Sequence, residues 1–412
     1  MPPAGILLAG VGEAEVEIEK LVIGGEGLAR LEGVPLFIRR SAPGDLLRVR
    51  ITERHPGYGR AEIVEVLRPG PGRRADPFPE LARTGACDLQ HLDDQVQPLL
   101  KAAAVREALE RLGKVELPPH LEPVTGEPWG YRLRTQLHVA AGAAAGTSPG
   151  PSSGITVGYY ARGTHEVVPL PRCPLLVPEL EELLPELPLV LGAIGAMGAS
   201  PPRRIDLAAG DGGAVTAAPV VRGLPQGEVT MTLGGLVYGF DARCFFQVHR
   251  GLLPRLIETA VGPWEGDEAF DLYAGVGLFS LALAQRYRRV VAVEADPVAA
   301  RYARNNARRN RLSGVELVPR VVESWVAQLP SRAARVLVDP PRAGLSSRVR
   351  HAFLDLRPQR LTYVSCDAAT LARDLRQLDP GFRVESVTLL DLFPQTGHME
   401  AVVQLAARNE VS

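Results

Sequence analysis

Lysine is nearly absent from this chain of 412 residues: only Lys20, Lys101 and Lys114 occur, so almost all of the 46 basic residues are arginine. Guanidinium forks suit phosphate oxygens and base stacking as well as ion pairs, although a compositional bias of the genome would leave the same mark. Cysteine is scarce too. Cys87, Cys173, Cys244 and Cys366 lie far apart and form no CxxC pair, which argues against a zinc site and a disulfide framework and leaves an isolated cysteine free for catalysis. No run of about eighteen apolar residues occurs, and the opening MPPAGILLAGVGEAEVE lacks the basic region and small-residue cleavage site of an export signal. A cytoplasmic protein without a membrane span is expected. The formal net charge is -1, so bulk charge announces no polyanion partner, and any such contact has to come from local basic patches.

What is present is a hydrophobic fraction of 46% in a chain long enough for two or three domains. From Glu13 to Leu67 short alternating runs (EVEIEKLVI, VPLFIRR, DLLRVRITE, AEIVEVL) are broken by GGEG, APGD and HPGYG, the pattern of a small five-stranded barrel. The proline-, glycine- and arginine-rich LRPGPGRRADPFPE marks a boundary near residues 68 to 80. A helix is predicted over 95–113, with Leu99, Val105, Leu109 and Leu112 as its apolar face. Two strand-like runs, GYRLRTQLHVA and GITVGYYA, flank AGAAAGTSPGPSSG, which is too poor in large side chains to pack and reads as a mobile loop. After Gly251 helices and strands alternate, which requires a mostly parallel, doubly wound α/β sheet. The expected division is 1–70, 71–228 and 229–412, with helix 95–113 able to pack on the last unit.

In such sheets ligands sit beyond the carboxyl ends of the strands. AFDLYAGVGLFS puts Asp271, Gly275 and Gly277 where the first strand turns into its helix, and Glu294 ends the next strand about twenty residues on. A carboxylate there can accept both hydroxyls of an adenosine ribose; a tight turn and a solvated strand end would give the same letters. Ser280 stands where a dinucleotide fingerprint needs its third glycine, so S-adenosyl-L-methionine fits better than a nicotinamide cofactor.

LVDPPRAGLS, YVSCDAATLARDL and LDLFPQTGHMEAVV, with FFQVH and DLYAGVG, closely resemble the RNA 5-methyluridine methyltransferases, and residues 13–67 resemble the TRAM barrel that opens many of them. The resemblance covers nearly the whole chain. It implies Cys366 as a covalent nucleophile, Glu400 as general base, Asp339 near the methionine end of the cofactor or the target base, Gln247 reaching the cofactor, and Tyr273 lining the adenosine pocket. Cys366 precedes a helix start, which should lower its thiol pKa. The paired prolines 340 and 341 stiffen the loop that holds Asp339 and Arg342. The target base has to be flipped out, with Phe393 as a candidate stacking partner, and Arg39, Arg40, Arg132 and Arg134 are candidate phosphate contacts.

The sequence departs from the family at several points. Many relatives hold an iron-sulfur cluster on four cysteines, whereas here only Cys87 and Cys173 remain, Thr84 replaces one ligand and Phe78 stands near the place of another. No cluster is expected. His249 replaces the usual Asn of FQVN, and Asp367 follows the nucleophile, where a carboxylate would tend to raise the thiol pKa. The acidic residue of the third cofactor strand is not evident, the nearest position being Val321. Ribosomal RNA is the favoured substrate because of the TRAM-like barrel, with the transfer RNA T loop as the alternative. A catalytically impaired RNA-binding or chaperone protein on the same fold is the other reading; cytosine methylation lacks its second cysteine, and a small-molecule substrate has no use for the barrel. A monomer is the default expectation.

Overall fold

The computed structural model describes residues 12–141, 154–196 and 199–408. All but the first and last residue of the low-complexity stretch expected to be mobile, and the opening segment before residue 12, lie outside the described residues.

The N-terminal sheet has six strands rather than the expected five. EVEIEKLVI breaks at Ile18 and Glu19 into β1 (Glu13–Glu17) and β2 (Lys20–Leu21), because the chain leaves its pairing with β5 (Leu46–His55) and joins β3 (Gly27–Leu31) instead. With β4 (Val34–Ile38) and β6 (Tyr58–Arg68) the order is β1-β5-β6-β4-β3-β2. Val16, Ile18, Ala29, Leu36, Ile38, Leu47, Val49 and Ala61 fill its interior, the inward half of the alternation seen in sequence. The segment expected to mark a boundary is pinned to this sheet: Arg73 pairs with the wholly buried Asp45 at 2.7 Å, and the Gly70 amide donates to the same carboxylate at 2.8 Å.

Helix α1 (Val96–Arg111) forms as expected, but its buried face differs. Leu99 and Leu112 are 54% and 51% exposed, while Gln97, Lys101, Ala102, Val105, Ala108 and Leu109 face inward. The surface it covers is partly polar, so a face chosen by apolarity alone is rotated from the true one.

A five-stranded antiparallel sheet follows, made of β7 (Arg134–Ala141), β8 (Ile155–Tyr160), β9 (Val167–Pro169), β10 (Arg204–Ala209) and β11 (Val215–Ala218) in the order β11-β10-β7-β8-β9, with α2 (Pro178–Glu181) and α3 (Leu187–Ala196) between β9 and β10. The hairpin β12 (Val229–Leu233) and β13 (Leu236–Phe240) leads to α4 (Leu253–Val261). The last sheet comprises β14 (Gly266–Leu272), β15 (Tyr287–Val293), β16 (Val315–Val318), β17 (Val336–Val338), β18 (Arg360–Ser365), β19 (Phe382–Leu390) and β20 (Glu400–Ala407). Its order is β16-β15-β14-β17-β18-β20-β19; the first five are parallel and β20 runs antiparallel between β18 and β19. Helices α5 (Leu278–Leu283), α6 (Pro297–Arg309), α7 (Val322–Trp325), α8 (Ser347–Leu356) and α9 (Ala368–Leu378) connect them. Strand order reverses between β14 and β17, the place where such sheets open a crevice for a ligand.

Candidate active site

The chain leaves β14 through a turn with left-handed backbone at Tyr273, Gly275 and Gly277. A Cβ built on Gly275 meets nothing within 4 Å, so that side of the turn is open, while at Gly277 a left-handed φ of 91° calls for glycine. Glu294, just past β15, fastens the turn: its Oε2 accepts from the Gly275 amide at 2.7 Å and its Oε1 from the Asp296 amide at 2.6 Å. A carboxylate has about four lone-pair sites, so acceptor capacity is left for a ribose. Asp271 is completely buried and accepts from Ser280 Oγ at 2.5 Å, while its Oδ1 has no partner. Burial, with smaller repulsion from Asp339 and Glu294, pushes its carboxyl up to about 7. The Tyr273 hydroxyl donates to Glu323 at 3.1 Å. Glu323, in the first turn of α7 and two residues past the exposed Val321, is the first acidic residue after the third strand, a position that sequence reading passed over. An open glycine turn, an orphaned carboxylate oxygen and the nearby acids Glu294 and Glu323 fit the ammonium, ribose and adenine of S-adenosylmethionine.

Beyond the neighbouring strands lie the groups that the motifs singled out for the chemistry. Asp339 follows β17, Cys366 follows β18, and Glu400 opens β20 next to it. Gln247, nearly buried, reaches in from the segment after β13 and donates to Asp339 at 3.0 Å. Glu400 is 1% exposed; burial first and the Asp339 carboxylate second hold its carboxyl well above the usual range. The Cys366 thiol is pushed up to about 12 by burial, with Glu400 adding repulsion and the Arg342 guanidinium opposing both. The expected lowering by the start of α9 is therefore outweighed by burial. α9 instead organises the loop opposite: Thr370 Oγ1 and Arg373 donate to the carbonyls of Arg342 and Ala343 at 3.1 and 2.8 Å, and Asp374 accepts from the Leu345 amide and the Tyr363 hydroxyl at 2.7 and 2.8 Å.

The two substitutions near the site have structural uses. Asp367 caps α9, accepting from the Thr370 amide at 2.8 Å. His249 stacks on Tyr131 at 4.7 Å between ring centroids, and a Cβ at Gly126 would come within 2.6 Å of it, so Gly126 makes the room that a larger ring requires. Burial holds that imidazole toward its neutral form. Sequence reading also passed over Phe245. Its neighbour Phe246 is buried against Phe240, whereas Phe245 is 57% exposed with the Arg134 guanidinium 5.4 Å from its ring. The FFQ doublet held that alternation. Phe393, the aromatic expected to stack, is half-buried and lies edge-on to His398 at 6.2 Å.

The residues present do not fit a four-thiolate cluster. Cys87 and Cys173 are buried, with burial pushing both thiols up; Thr84 Oγ1 is engaged by the Leu81 carbonyl at 2.8 Å, and Phe78 packs edge-on to Trp129. Tyr159 shares its hydroxyl between Thr135 at 2.7 Å and the Cys173 sulfur at 3.8 Å. Among the described residues no cluster of three or more histidine, cysteine or acidic side chains is arranged to hold a metal ion.

Fold and site together define an S-adenosylmethionine-dependent methyltransferase of the seven-stranded α/β class. The sequence profile of the tRNA (Uracil-5-)-methyltransferase family matches residues 234–408, and that of the TRAM domain matches residues 12–64. The 23S rRNA (uracil(1939)-C(5))-methyltransferase RlmD of Pectobacterium atrosepticum is 32% identical, over 92% of this chain and 90% of the relative. An uncharacterized RNA methyltransferase of Halalkalibacterium halodurans is 30% identical over 96% and 97%. The chain belongs to the RNA uracil-C5 methyltransferase family. The Pyrococcus abyssi tRNA (uracil-54, C5)-methyltransferase, solved with S-adenosyl-L-homocysteine, shares the fold, with a TM-score of 0.71 at 22% identity covering 95% of this chain and 100% of that one.

Proposed function

We propose that the protein methylates carbon 5 of a uridine in 23S ribosomal RNA, with Cys366 as nucleophile and Glu400 as general base. The observation that carries this is the meeting of a half-buried thiol, a guanidinium and two buried carboxyls at adjacent strand ends beside an open glycine turn. Bound S-adenosylmethionine supplies an electrophilic methyl carbon. Uracil carbon 5 is a weak nucleophile until Cys366 sulfur adds to carbon 6, which places an enolate across the ring. Arg342 faces the sulfur and favours its ionised form. Once carbon 5 carries the methyl group, Glu400 removes its proton, the carbon 5–carbon 6 double bond re-forms, and the sulfur leaves as thiolate. A Glu400 carboxyl held well above the usual range is a stronger proton acceptor once it has ionised.

The flipped base stacks on Phe245, whose exposure and arginine neighbour suit a nucleobase face. Asp271, Tyr273, Gly275, Gly277, Glu294 and Glu323 hold the cofactor, and Gln247 with Asp339 bridges the two ends. The N-terminal barrel and the central unit, residues 1–70 and 71–228, hold the RNA, and 229–412 performs the chemistry. Arg39 and Arg40 line an open cleft of about 830 Å³ between them. The protein works as a monomer in the cytoplasm. Among the described residues no helix is long and apolar enough to cross a membrane.

The test is methyl transfer from labelled S-adenosylmethionine to unmodified transcripts of 23S RNA and of transfer RNA, followed by nucleoside analysis. 5-Methyluridine in the 23S transcript supports the reading. Label confined to the transfer RNA overturns the substrate, and binding without transfer overturns the activity.

A further inference from the structure

The strap joining β19 to β20, residues 391–399, carries Phe393 and His398 and runs directly into Glu400, yet its anchors come from outside the catalytic sheet. Lys101 of α1 donates to Asp391 Oδ1 at 2.5 Å and to the Phe393 carbonyl at 3.1 Å, and this ion pair is only 1% and 3% exposed. Gln97, one turn earlier, clamps Gln395 in both directions: its Nε2 donates to the Gln395 side chain at 2.9 Å, and its Oε1 accepts from the Gln395 amide at 3.0 Å. Asp94 accepts from Gln395 Nε2 at 2.6 Å, the Leu89 amide donates to the Gln395 carbonyl at 2.9 Å, and Tyr131 donates to the Pro394 carbonyl at 2.9 Å. Gln395 is held in a left-handed conformation, φ 66°, that a non-glycine residue keeps only when its surroundings fix it.

The N-terminal barrel supplies the last contact. Its Gly24–Gly25 turn lies backbone to backbone on Gly397: a Cβ built on Gly397 would fall 2.4 Å from the Gly24 carbonyl carbon and 2.6 Å from the Gly25 nitrogen. The barrel is itself tied down by the Lys20–Glu107 pair at 2.6 Å, which joins it to α1.

A general base has to reach the proton it takes within about 3 Å, and misplacement by about 1 Å costs about 100-fold in rate. We infer that the Gly24–Gly25 turn and Gln97 are positioning groups for Glu400, so that the barrel acts on the proton-abstraction step as well as on RNA capture. This rests on the reading of Glu400 as the base. In that step the Glu400 carboxylate takes the carbon 5 proton, the C–H electrons form the carbon 5–carbon 6 bond, and the carbon–sulfur electrons leave with Cys366.

The experiment uses the full chain with ordinary uridine-containing RNA and compares Gln97→Ala, Gly397→Ala and the milder Gly25→Ala with wild type. Steady-state rates, thermal melts and denaturing gels for the covalent enzyme–RNA adduct are measured together. A kcat lowered about 10- to 100-fold, with KM for RNA within about twofold and adduct accumulating, is the expected result. Raised KM at unchanged kcat would mean that the barrel only holds RNA. Adduct and turnover falling together would mean a merely structural role, and if Gly397→Ala does not fold, Gly25→Ala and Gln97→Ala decide the same split. Glu400→Gln, run alongside, must itself accumulate adduct; if it does not, the base assignment has failed and the positioning inference falls with it.

Discussion

Asp271, Asp339 and Glu400 share a buried floor, and burial pushes all three carboxyls upward. The sign of the consequence follows from linkage: a carboxyl raised in the folded state is destabilising once ionised, so stability present at low pH is lost as pH rises from about 4, the unfolded value, to about 7. The unliganded protein should therefore melt at a higher temperature at pH 5 than at pH 8, as far as these groups decide it. The same ionisation creates the counter-charge for an ammonium and a sulfonium. S-Adenosylmethionine affinity should rise about tenfold between pH 6 and pH 8 if Asp271 controls it, and calorimetric titration at both values checks this; a pH-independent affinity would remove Asp271 from the cofactor site. At this scale the positions of Cys366, Glu294 and Asp339 were legible, since each follows the end of a strand as the motifs predict. It did not tell which of Phe245 and Phe246 is exposed, nor that Glu323, in a helix turn beyond the third strand, meets the Tyr273 hydroxyl.

Among the elements, α9 and α1 position the site. Asp367→Ala removes the cap of α9 and should cost about 1 kcal/mol, measured by urea unfolding, while loosening the Arg342 loop that α9 holds. Lys101→Met would leave Asp391 buried without its cation, a loss of about 3–5 kcal/mol, and pairing it with Asp391→Leu should recover most of the stability. If the double variant is no more stable than the single one, the pair is not the source of the loss. The central parallel strands were readable because each carries a short apolar stretch, such as VVAV of β15 and VLV of β17, that ends at a charged residue. The buried face of α1 was not, because a helix that covers a polar strap turns Gln97 and Lys101 inward, and apolar periodicity carries no sign of that. The split of the first strand into β1 and β2 depends on a change of partner across the barrel, which no local pattern encodes.

For the whole molecule, the absence of two of the four cluster cysteines was visible in the sequence, and Thr84 and Cys173 each make a local contact of their own, Thr84 to the Leu81 carbonyl and Cys173 to the Tyr159 hydroxyl. Protein purified anaerobically should contain no stoichiometric iron or acid-labile sulfide; about four irons per chain would contradict this. The most direct test of the catalytic account is the intact mass of protein incubated with S-adenosylmethionine and 23S RNA carrying 5-fluorouridine, whose carbon 5 offers no proton for Glu400 to remove. The account predicts a covalent adduct of protein with methylated RNA in wild type and none in Cys366→Ala. An adduct that survives loss of Cys366, or its absence from wild type under conditions where the RNA is bound, would contradict it.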